Sequence, residues 1–216
     1  MTKIKFCGIT RPVDAEVAAS LGASHAGVIF AESPRRVTPL RAREIFASAG
    51  QLKRVGVFGH ANAGEALRAA RDAELDVMQL HGSFGPDDLA RMRDDFEGEL
   101  WPVVAIDESH GALPPGWDEL VDVADAILLD TRVRGASGGT GRTFDWMAIA
   151  PKIRDAGLLV PTVLAGGLTP LNVGAAIAAL APAIVDVSSG VEAAPGIKDA
   201  ALMRAFADAV RSASIV

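Results

Sequence analysis

Several features that would indicate a secreted, membrane-bound or nucleic-acid-binding protein are missing from the sequence. Cys7 is the single cysteine, so no disulfide can form within the chain and we expect a reducing compartment. No run reaches the roughly 18 apolar residues of a membrane span, and the N-terminal MTKIKFCGIT carries no cleavage signature. The net charge of −6 does not favour nucleic acid or an anionic membrane as a partner. We therefore expect a cytoplasmic protein in which a local basic patch meets any anionic ligand.

The sequence also lacks an internal linker. No change of composition and no Pro/Ser-rich stretch divides the 216 residues, of which 50% are hydrophobic. This is enough apolar material for a sizeable core, and the length is that of a smaller β/α barrel. We therefore expect a single domain over residues 1–216.

Short apolar or β-branched runs alternate with segments whose apolar residues recur every three or four positions. This alternation is typical of β-α units around a parallel sheet. It predicts an α/β fold, a single (β/α)8 TIM barrel, with strands near residues 3–7, 25–30, 53–58, 76–80, 101–106, 126–130, 160–165 and 183–187. The fifth unit is the weakest, because Pro114, Pro115 and Gly116 leave room only for a short helix at 117–124.

Local signals indicate where several helices begin and which face they bury. Thr38 and Thr169 each precede a proline, so we expect them to cap helices that begin at Pro39 and Pro170. In the first helix, apolar residues spaced by four predict the buried face, namely Val13, Val17 and Leu21.

Two small-residue turns follow the predicted strands 7 and 8, Ala165-Gly166-Gly167 and Ser188-Ser189-Gly190. Glycines at strand ends let backbone N–H groups converge on an anion, and a helix N-terminus beyond adds positive potential. One such turn alone would more often be a simple connection. Two in succession predict the phosphate-binding loops that such barrels commonly carry after strands 7 and 8. The glycine-rich stretch 131–143 is a candidate lid or phosphate clamp.

Polar residues occur within strands that a closed barrel should bury on both faces. If alternate residues point inward, six side chains surround the mouth of the barrel: Cys7, Gln79, His81, Asp130, Asp186 and Ser188. Each has a simpler explanation alone: Cys7 as an inert buried thiol, His81 as a structural histidine and Asp130 as a loop cap. Together they favour a site.

Metal and serine-hydrolase chemistry fit the sequence poorly. His60, His81 and His110 show no metal-ligand spacing with the one cysteine, and no G-x-S-x-G motif is present.

Arg35 and Arg36, just beyond strand 2, are the most concentrated positive charge near the expected active face. They either hold a carboxylate through paired hydrogen bonds or form an exposed, solvated loop pair.

A series of motifs runs along nearly the whole chain in a fixed order. They are KFCGIT (5–10), SPRRVTP (33–39), RVGVF (54–58), QLHG (79–82), LLD (128–130), GGTGRTFDW (138–146), AGGLTPLNV (165–173), and DVSSGVE with PGIKD (186–199). With these motifs the sequence resembles the phosphoribosylanthranilate isomerases of tryptophan biosynthesis, in their monofunctional form.

The resemblance implies an isomerase that converts N-(5-phosphoribosyl)anthranilate into 1-(2-carboxyphenylamino)-1-deoxyribulose 5-phosphate by an Amadori rearrangement, without metal or cofactor. It places the general base on Cys7, the general acid on Asp130 and the ligand of the anthranilate carboxylate on Arg35. Arg36 stands where the family often has an aromatic residue, so the choice between the two arginines stays open. The implied partner is a small phosphosugar, and the family occurs as monomers and homodimers.

The remaining substrate contacts are expected from the barrel mouth and its glycine turns. Substrate binding is expected of Gln79, His81 and Asp186. Backbone amides and small side chains would hold the phosphate, at Gly139, Thr140, Gly141, Gly166, Gly167, Ser189 and Gly190.

An acid must reach the ribose ring oxygen and a base must reach C2. An ordinary thiol with a pKa of about 8.5 is mostly protonated at neutral pH, and a carboxyl near 3.9 is mostly ionised. We therefore expect the two pKa values to be pushed toward each other. Lys5, on the strand face of Cys7, would favour the thiolate, and desolvation would raise the pKa of Asp130 by about two units.

Two other functions remain open from the residues alone. One is another phosphosugar barrel isomerase, such as the histidine-pathway aminoaldose isomerase, which would be expected to use aspartates at both chemical positions. The other is a phosphate-binding barrel without catalysis.

Overall fold

The computed structural model describes residues 1–59, 62–82, 84–107, 112–132, 143–155 and 160–213. Eight parallel strands pair in chain order around a closed barrel, and the first strand pairs with the eighth. They are β1 (Lys3–Phe6), β2 (His25–Ile29), β3 (Lys53–Phe58), β4 (Val77–Leu80), β5 (Glu99–Asp107), β6 (Ile127–Arg132), β7 (Thr162–Leu164) and β8 (Ile184–Val187). The predicted barrel is confirmed, and each strand overlaps its predicted position.

Helices follow most of the strands. They are α1 (Pro12–Ser20), α2 (Pro39–Phe46), α3 (Ala63–Asp72), α4 (Pro86–Asp95), α5 (Trp146–Asp155), α6 (Val173–Leu180) and α7 (Ala200–Ala213). The fifth unit has only a 3-10 turn at Asp118–Leu120 among its described residues, shorter than the helix predicted over 117–124. None of the helices in the described ranges is long and apolar enough to cross a bilayer.

A short hairpin that the sequence did not predict lies between β8 and α7. It consists of β9 (Glu192–Ala194) and β10 (Ile197–Lys198), which pair antiparallel. Its turn contains Gly196 at φ +78°, a left-handed conformation that glycine adopts without strain. The two strands are too short to show a hydrophobic period.

One of the two predicted helix caps is confirmed. Thr38 Oγ1 accepts a hydrogen bond from the backbone N–H of Arg41 at 3.2 Å, at the start of α2. The prediction for Thr169 is wrong, because α6 begins three residues after Pro170 and Asn172 is its N-cap residue. The Asn172 side chain accepts from the Thr169 N–H at 2.7 Å and donates to Gly167 O at 3.0 Å. These bonds hold residues 167–172 as a turn in place of a first helical turn.

The predicted buried face of α1 is confirmed at Leu21, which is buried, and at Val17, which packs against the core, but is wrong at Val13. Val13 is 51% exposed, whereas Asp14, Ala15 and Ala18 are buried. Arg11 makes two hydrogen bonds to the Asp14 carboxylate, at 2.9 and 2.7 Å. Because this partner satisfies the buried carboxylate, the helix can turn its small alanines toward the barrel.

Two apolar layers hold the barrel together. A large cluster fills the space between the strands and the helices, and a smaller one fills the barrel interior. The interior cluster is built around Trp101, whose side chain is fully buried and whose indole packs on the His25 ring with centroids 5.0 Å apart. Its other members are Val55, Val77, Ala126, Leu128, Val163, Ala165 and Ile184. This apolar plug leaves only the opposite end of the interior for a site.

Candidate active site

One cavity of about 940 Å³ opens at the carboxyl ends of the strands. Every member of the predicted ring lines it, namely Cys7, Gln79, His81, Asp130, Asp186 and Ser188. Arg35, Arg36, Gly166, Gly167 and Ser189 line it as well. Strand alternation therefore brings together side chains from four strands and their loops.

A buried layer of hydrogen bonds forms the floor of this cavity. The Lys5 ammonium is fully buried and donates to Asp186 Oδ2 at 2.7 Å and to Gln79 Oε1 at 2.9 Å. Burial alone would lower the pKa of Lys5, but the charges of Asp186 and Cys7 outweigh it, so the pKa is raised. Lys5 is therefore a permanent cation beneath the cavity.

The hydrogen bonds around Lys5 also fix the protonation state and tautomer of His81. Gln79 Nε2 lies 2.7 Å from His81 Nε2, and an amide NH₂ can only donate, so that ring nitrogen accepts. Burial, with the charge of Lys5, lowers the pKa of His81 to about 4. His81 is a neutral imidazole near pH 7 with its proton on Nδ1.

The Cys7 thiol lies beside the Lys5 ammonium, and Gly27 makes the room for both. A Cβ on Gly27 would stand 3.1 Å from Cys7 Sγ and 3.2 Å from Lys5 Nζ. Burial raises the pKa of the Cys7 thiol, although the charges of Lys5 and Lys198 act in the opposite direction. The expectation that the pKa of the Cys7 thiol is lowered toward that of Asp130 is therefore wrong, because desolvation outweighs the neighbouring cations.

Asp130 has the pKa that an acid needs. Its Oδ1 accepts from the backbone N–H of Thr131 at 2.7 Å. Burial, with the charge of Asp186, raises the pKa of Asp130 to about 6. Gly166, at φ +86°, brings the turn after β7 against this group, since a Cβ there would stand 3.0 Å from Asp130 Oδ1 and 2.3 Å from Thr131 Oγ1.

Two oxygen atoms on residues that line the cavity lack a hydrogen-bond partner within the described part of the chain. They are Asp186 Oδ1 and Ser188 Oγ, both buried. A buried polar atom without a partner is costly, so these two are ready to bond a polar ligand.

The two predicted phosphate turns pack against each other. Gly166 and Gly167 both have positive φ, +86° and +66°, and both line the cavity together with Ser189. Gly190 does not line it, because its α-carbon packs on the turn after β7 and a Cβ would stand 2.0 Å from Leu168 O. The predicted phosphate ligands Gly139, Thr140 and Gly141 lie outside the described residues, as does most of the glycine-rich stretch.

The two arginines of the loop after β2 differ in their surroundings. The Arg35 side chain is only 12% exposed and bonds Glu192 through Nε at 2.8 Å and Nη2 at 2.7 Å. Glu192 Oε1 also accepts from Lys198 Nζ at 2.8 Å. Arg36 is exposed and has no ion-pair partner among the described residues. Glu192 and Lys198 were missed by sequence reasoning, although both stand in the motifs DVSSGVE and PGIKD.

No group of three or more His, Cys, Asp or Glu side chains in the described ranges is arranged to hold a metal ion. The groups of the cavity that can transfer a proton or hold a charged substrate are the Cys7 thiol, the Asp130 and Asp186 carboxyls, the His81 imidazole and the Arg35 and Arg36 side chains.

Comparison with known proteins decides the family. A model of the N-(5'-phosphoribosyl)anthranilate (PRA) isomerase family matches residues 4–209. The chain belongs to the PRA isomerase family. It is 46% identical to the N-(5'-phosphoribosyl)anthranilate isomerase of Pseudomonas paraeruginosa, over 97% of this chain and 95% of the relative. The PRA isomerase of Rubrobacter xylanophilus is 45% identical, over 98% of this chain and 100% of the relative.

Solved PRA isomerases share the fold along their whole length. The Thermotoga maritima enzyme superposes with a TM-score of 0.84 at 33% identity, covering 100% of both chains. Another PRA isomerase structure, with a TM-score of 0.81 and 32% identity, covers 98% of this chain and 100% of its own. That protein is in complex with reduced 1-(o-carboxyphenylamino)-1-deoxyribulose 5-phosphate.

Proposed function

We propose that this cavity converts N-(5'-phosphoribosyl)anthranilate into 1-(2-carboxyphenylamino)-1-deoxyribulose 5-phosphate, an Amadori rearrangement of tryptophan biosynthesis. The observation that carries the assignment is the pairing of two groups in one cavity, a thiol on the end of β1 and a carboxyl of pKa about 6 on β6. General acid–base chemistry on a sugar needs two such groups on opposite sides of it.

Asp130 acts first, as the general acid. Its proton goes to the ribose ring oxygen, the C1–O bond breaks, and the nitrogen lone pair forms a C1=N iminium. With a pKa of about 6, roughly a tenth of the carboxyl is protonated at pH 7, far more than for an ordinary aspartate. Thr131 N–H, bonded to Oδ1, leaves the other oxygen to carry the proton.

Cys7 then removes the proton from C2. The C2–H electron pair forms the C1=C2 bond, the iminium becomes an enamine, and the resulting enol tautomerises to the ketone at C2 with a proton added at C1. The thiolate is stabilised here by the adjacent Lys5 ammonium. No proton is gained or lost over the whole reaction.

The reactive form needs a thiolate and a carboxylic acid, whereas the resting pair is a thiol and a carboxylate. Both forms hold the same single proton, so their ratio does not change with pH between the two pKa values. The rate should therefore be level over this range and fall below about pH 6, where the pair becomes doubly protonated and Cys7 is no longer a base.

The remaining groups hold the substrate. Arg35 at the rim binds the anthranilate carboxylate, and Asp186, with its unpartnered Oδ1, accepts from a sugar hydroxyl. Gln79 and His81 line the same wall. The phosphate is held by the backbone amides of the turns after β7 and β8. The further phosphate contacts predicted at Gly139, Thr140 and Gly141 lie outside the described residues.

The domain organisation, cellular compartment and oligomeric state are proposed from the family. We propose a single-domain cytoplasmic enzyme that acts as a monomer or homodimer on a small phosphosugar. A reducing compartment keeps the single Cys7 as a thiol. A related Thermotoga maritima enzyme is described as dimeric.

The test is a direct assay. Purified protein is added to freshly made N-(5-phosphoribosyl)anthranilate, and the fall of anthranilate-type fluorescence is followed. Rapid loss that saturates with substrate is expected. No loss with this substrate, or faster turnover of the histidine-pathway aminoaldose, would remove the assignment.

A further inference from the structure

Building on the proposed isomerase function, we propose that Glu192, itself held by Lys198, is the positioning residue that aims Arg35 at the carboxylate of the substrate. A guanidinium has two edges that can hold a carboxylate, one formed by Nε and Nη2 and one formed by the two Nη groups. Glu192 occupies the first edge, at 2.8 and 2.7 Å. The second edge has no hydrogen-bond partner among the described residues, and Arg35 lines the cavity.

The Glu192 carboxylate is built to stay in place and stay charged. Its side chain is 4% exposed and the Lys198 side chain 0%. Oε1 accepts from Lys198 Nζ at 2.8 Å and from Gly196 N–H at 3.3 Å in addition to Arg35. Burial would raise the pKa of Glu192, but the hydrogen bonds from Arg35 and Lys198 outweigh it, so the pKa is lowered.

The hairpin that carries both residues is anchored to the loop after β1. Thr10 Oγ1 donates to Gly196 O at 2.5 Å, and Arg11 Nη2 donates to Lys198 O at 3.2 Å. Lys198 Nζ also donates to Ser188 O at 3.1 Å, at the end of β8. The position of Glu192 is therefore fixed relative to two walls of the cavity.

Arg35 reaches across this end of the barrel only because Gly8 has no side chain. A Cβ on Gly8 would stand 2.7 Å from Arg35 Cδ and 2.8 Å from Ser188 Oγ. The arginine stem thus crosses the residue next to Cys7, and Glu192 holds the guanidinium from behind. The charges sum to one excess positive charge, from Arg35 and Lys198 against Glu192, which suits one bound carboxylate.

The test compares substrate affinity and turnover in Glu192→Gln and Glu192→Asp. Glutamine keeps the shape but loses the charge-assisted pair, so KM for N-(5-phosphoribosyl)anthranilate should rise about tenfold while kcat stays within about twofold. Aspartate should recover part of the KM. With N-(5-phosphoribosyl)aniline, which lacks the carboxylate, the glutamine variant and wild type should be alike.

A double-mutant cycle separates positioning from a structural effect. If Glu192 acts through Arg35, Glu192→Gln should add no further rise of KM in an Arg35→Ala background. Glu44→Gln, in a surface pair with Arg41 at 2.7 Å, is the matched control and should leave KM unchanged. Glu192→Gln leaves Lys198 as a buried cation without its carboxylate partner. The charge-balanced double variant Glu192→Gln/Lys198→Met is therefore assayed as well, and the stability of both variants is measured by thermal melting.

Equal KM rises in the single and charge-balanced double variants support positioning. Wild-type KM in either variant, additive effects with Arg35→Ala, or the same loss with the aniline substrate would overturn it. Inactivity of the wild-type protein toward the anthranilate substrate would instead remove the proposed function, and this inference with it.

Discussion

The two ends of the barrel interior are built from the same strands but from opposite kinds of residue. β6 contributes Leu128 to the apolar plug and Asp130 to the cavity; β8 contributes Ile184 and Asp186 in the same way. The two layers are separated by a spacing of two residues along the strand, about 7 Å. The plug stabilises the fold, whereas the cavity layer keeps buried charges that an apolar core would avoid. Stability and chemistry are thus divided along β6 and β8.

The largest effect is expected at the cavity end, from Cys7→Ser. A hydroxyl is a far weaker base than a thiolate, so kcat should fall by about a thousandfold or more. The melting temperature should change little, because the two side chains are nearly the same size. Fluorescence kinetics and a thermal melt on one preparation check both. Turnover near that of the wild type would show that the base is another group.

The opposite pattern is expected at the plug, from Trp101→Ala. The side chain is fully buried, and its loss should cost about 3–5 kcal/mol of unfolding free energy. At a temperature where the variant is folded, kcat should stay within about threefold of the wild type. Urea denaturation measures the first effect, and Trp101→Phe is the milder control. A fall of kcat as large as that of Cys7→Ser would mean that the two ends are not separate in function.

A smaller effect on affinity is expected at the rim of the cavity. Arg35→Ala should raise KM about 10- to 100-fold through loss of a charge-assisted carboxylate contact. Arg36→Ala should change KM by less than about twofold, since Arg36 is exposed and has no ion-pair partner in the described residues. Steady-state kinetics of the two variants decide between the arginines. The reverse ranking would place the carboxylate on Arg36.

The barrel and the ring of polar residues could be predicted from the sequence for one reason. Strands buried on both faces make any polar residue stand out, so Gln79 and Asp186 were visible against apolar neighbours. The weak fifth unit was equally visible from its prolines. These features depend on residues close together in the chain, where period and turn chemistry are informative.

The features that were missed depend on contacts between distant segments. Glu192 meets Arg35 across 157 positions of sequence, and no local pattern announces that pairing. The pKa of Cys7 is raised because neighbouring strands bury the thiol. The sequence showed the nearby Lys5, which favours the thiolate, but not this burial. The start of α6 is the local exception: it was misplaced because the Asn172 side chain bonds Thr169 N–H and Gly167 O and so holds residues 167–172 as a turn.

The most direct test of the division between the two ends is to measure activity and stability together in Asp130→Asn. The raised pKa of about 6 means that ionised Asp130 destabilises the fold above pH 6 and that this cost disappears below about pH 4. Near pH 8 the variant should lose at least about a hundredfold of kcat yet gain about 1–3 kcal/mol of unfolding free energy, a gain absent at pH 4. Retained activity, or lower stability near pH 8, would contradict the account.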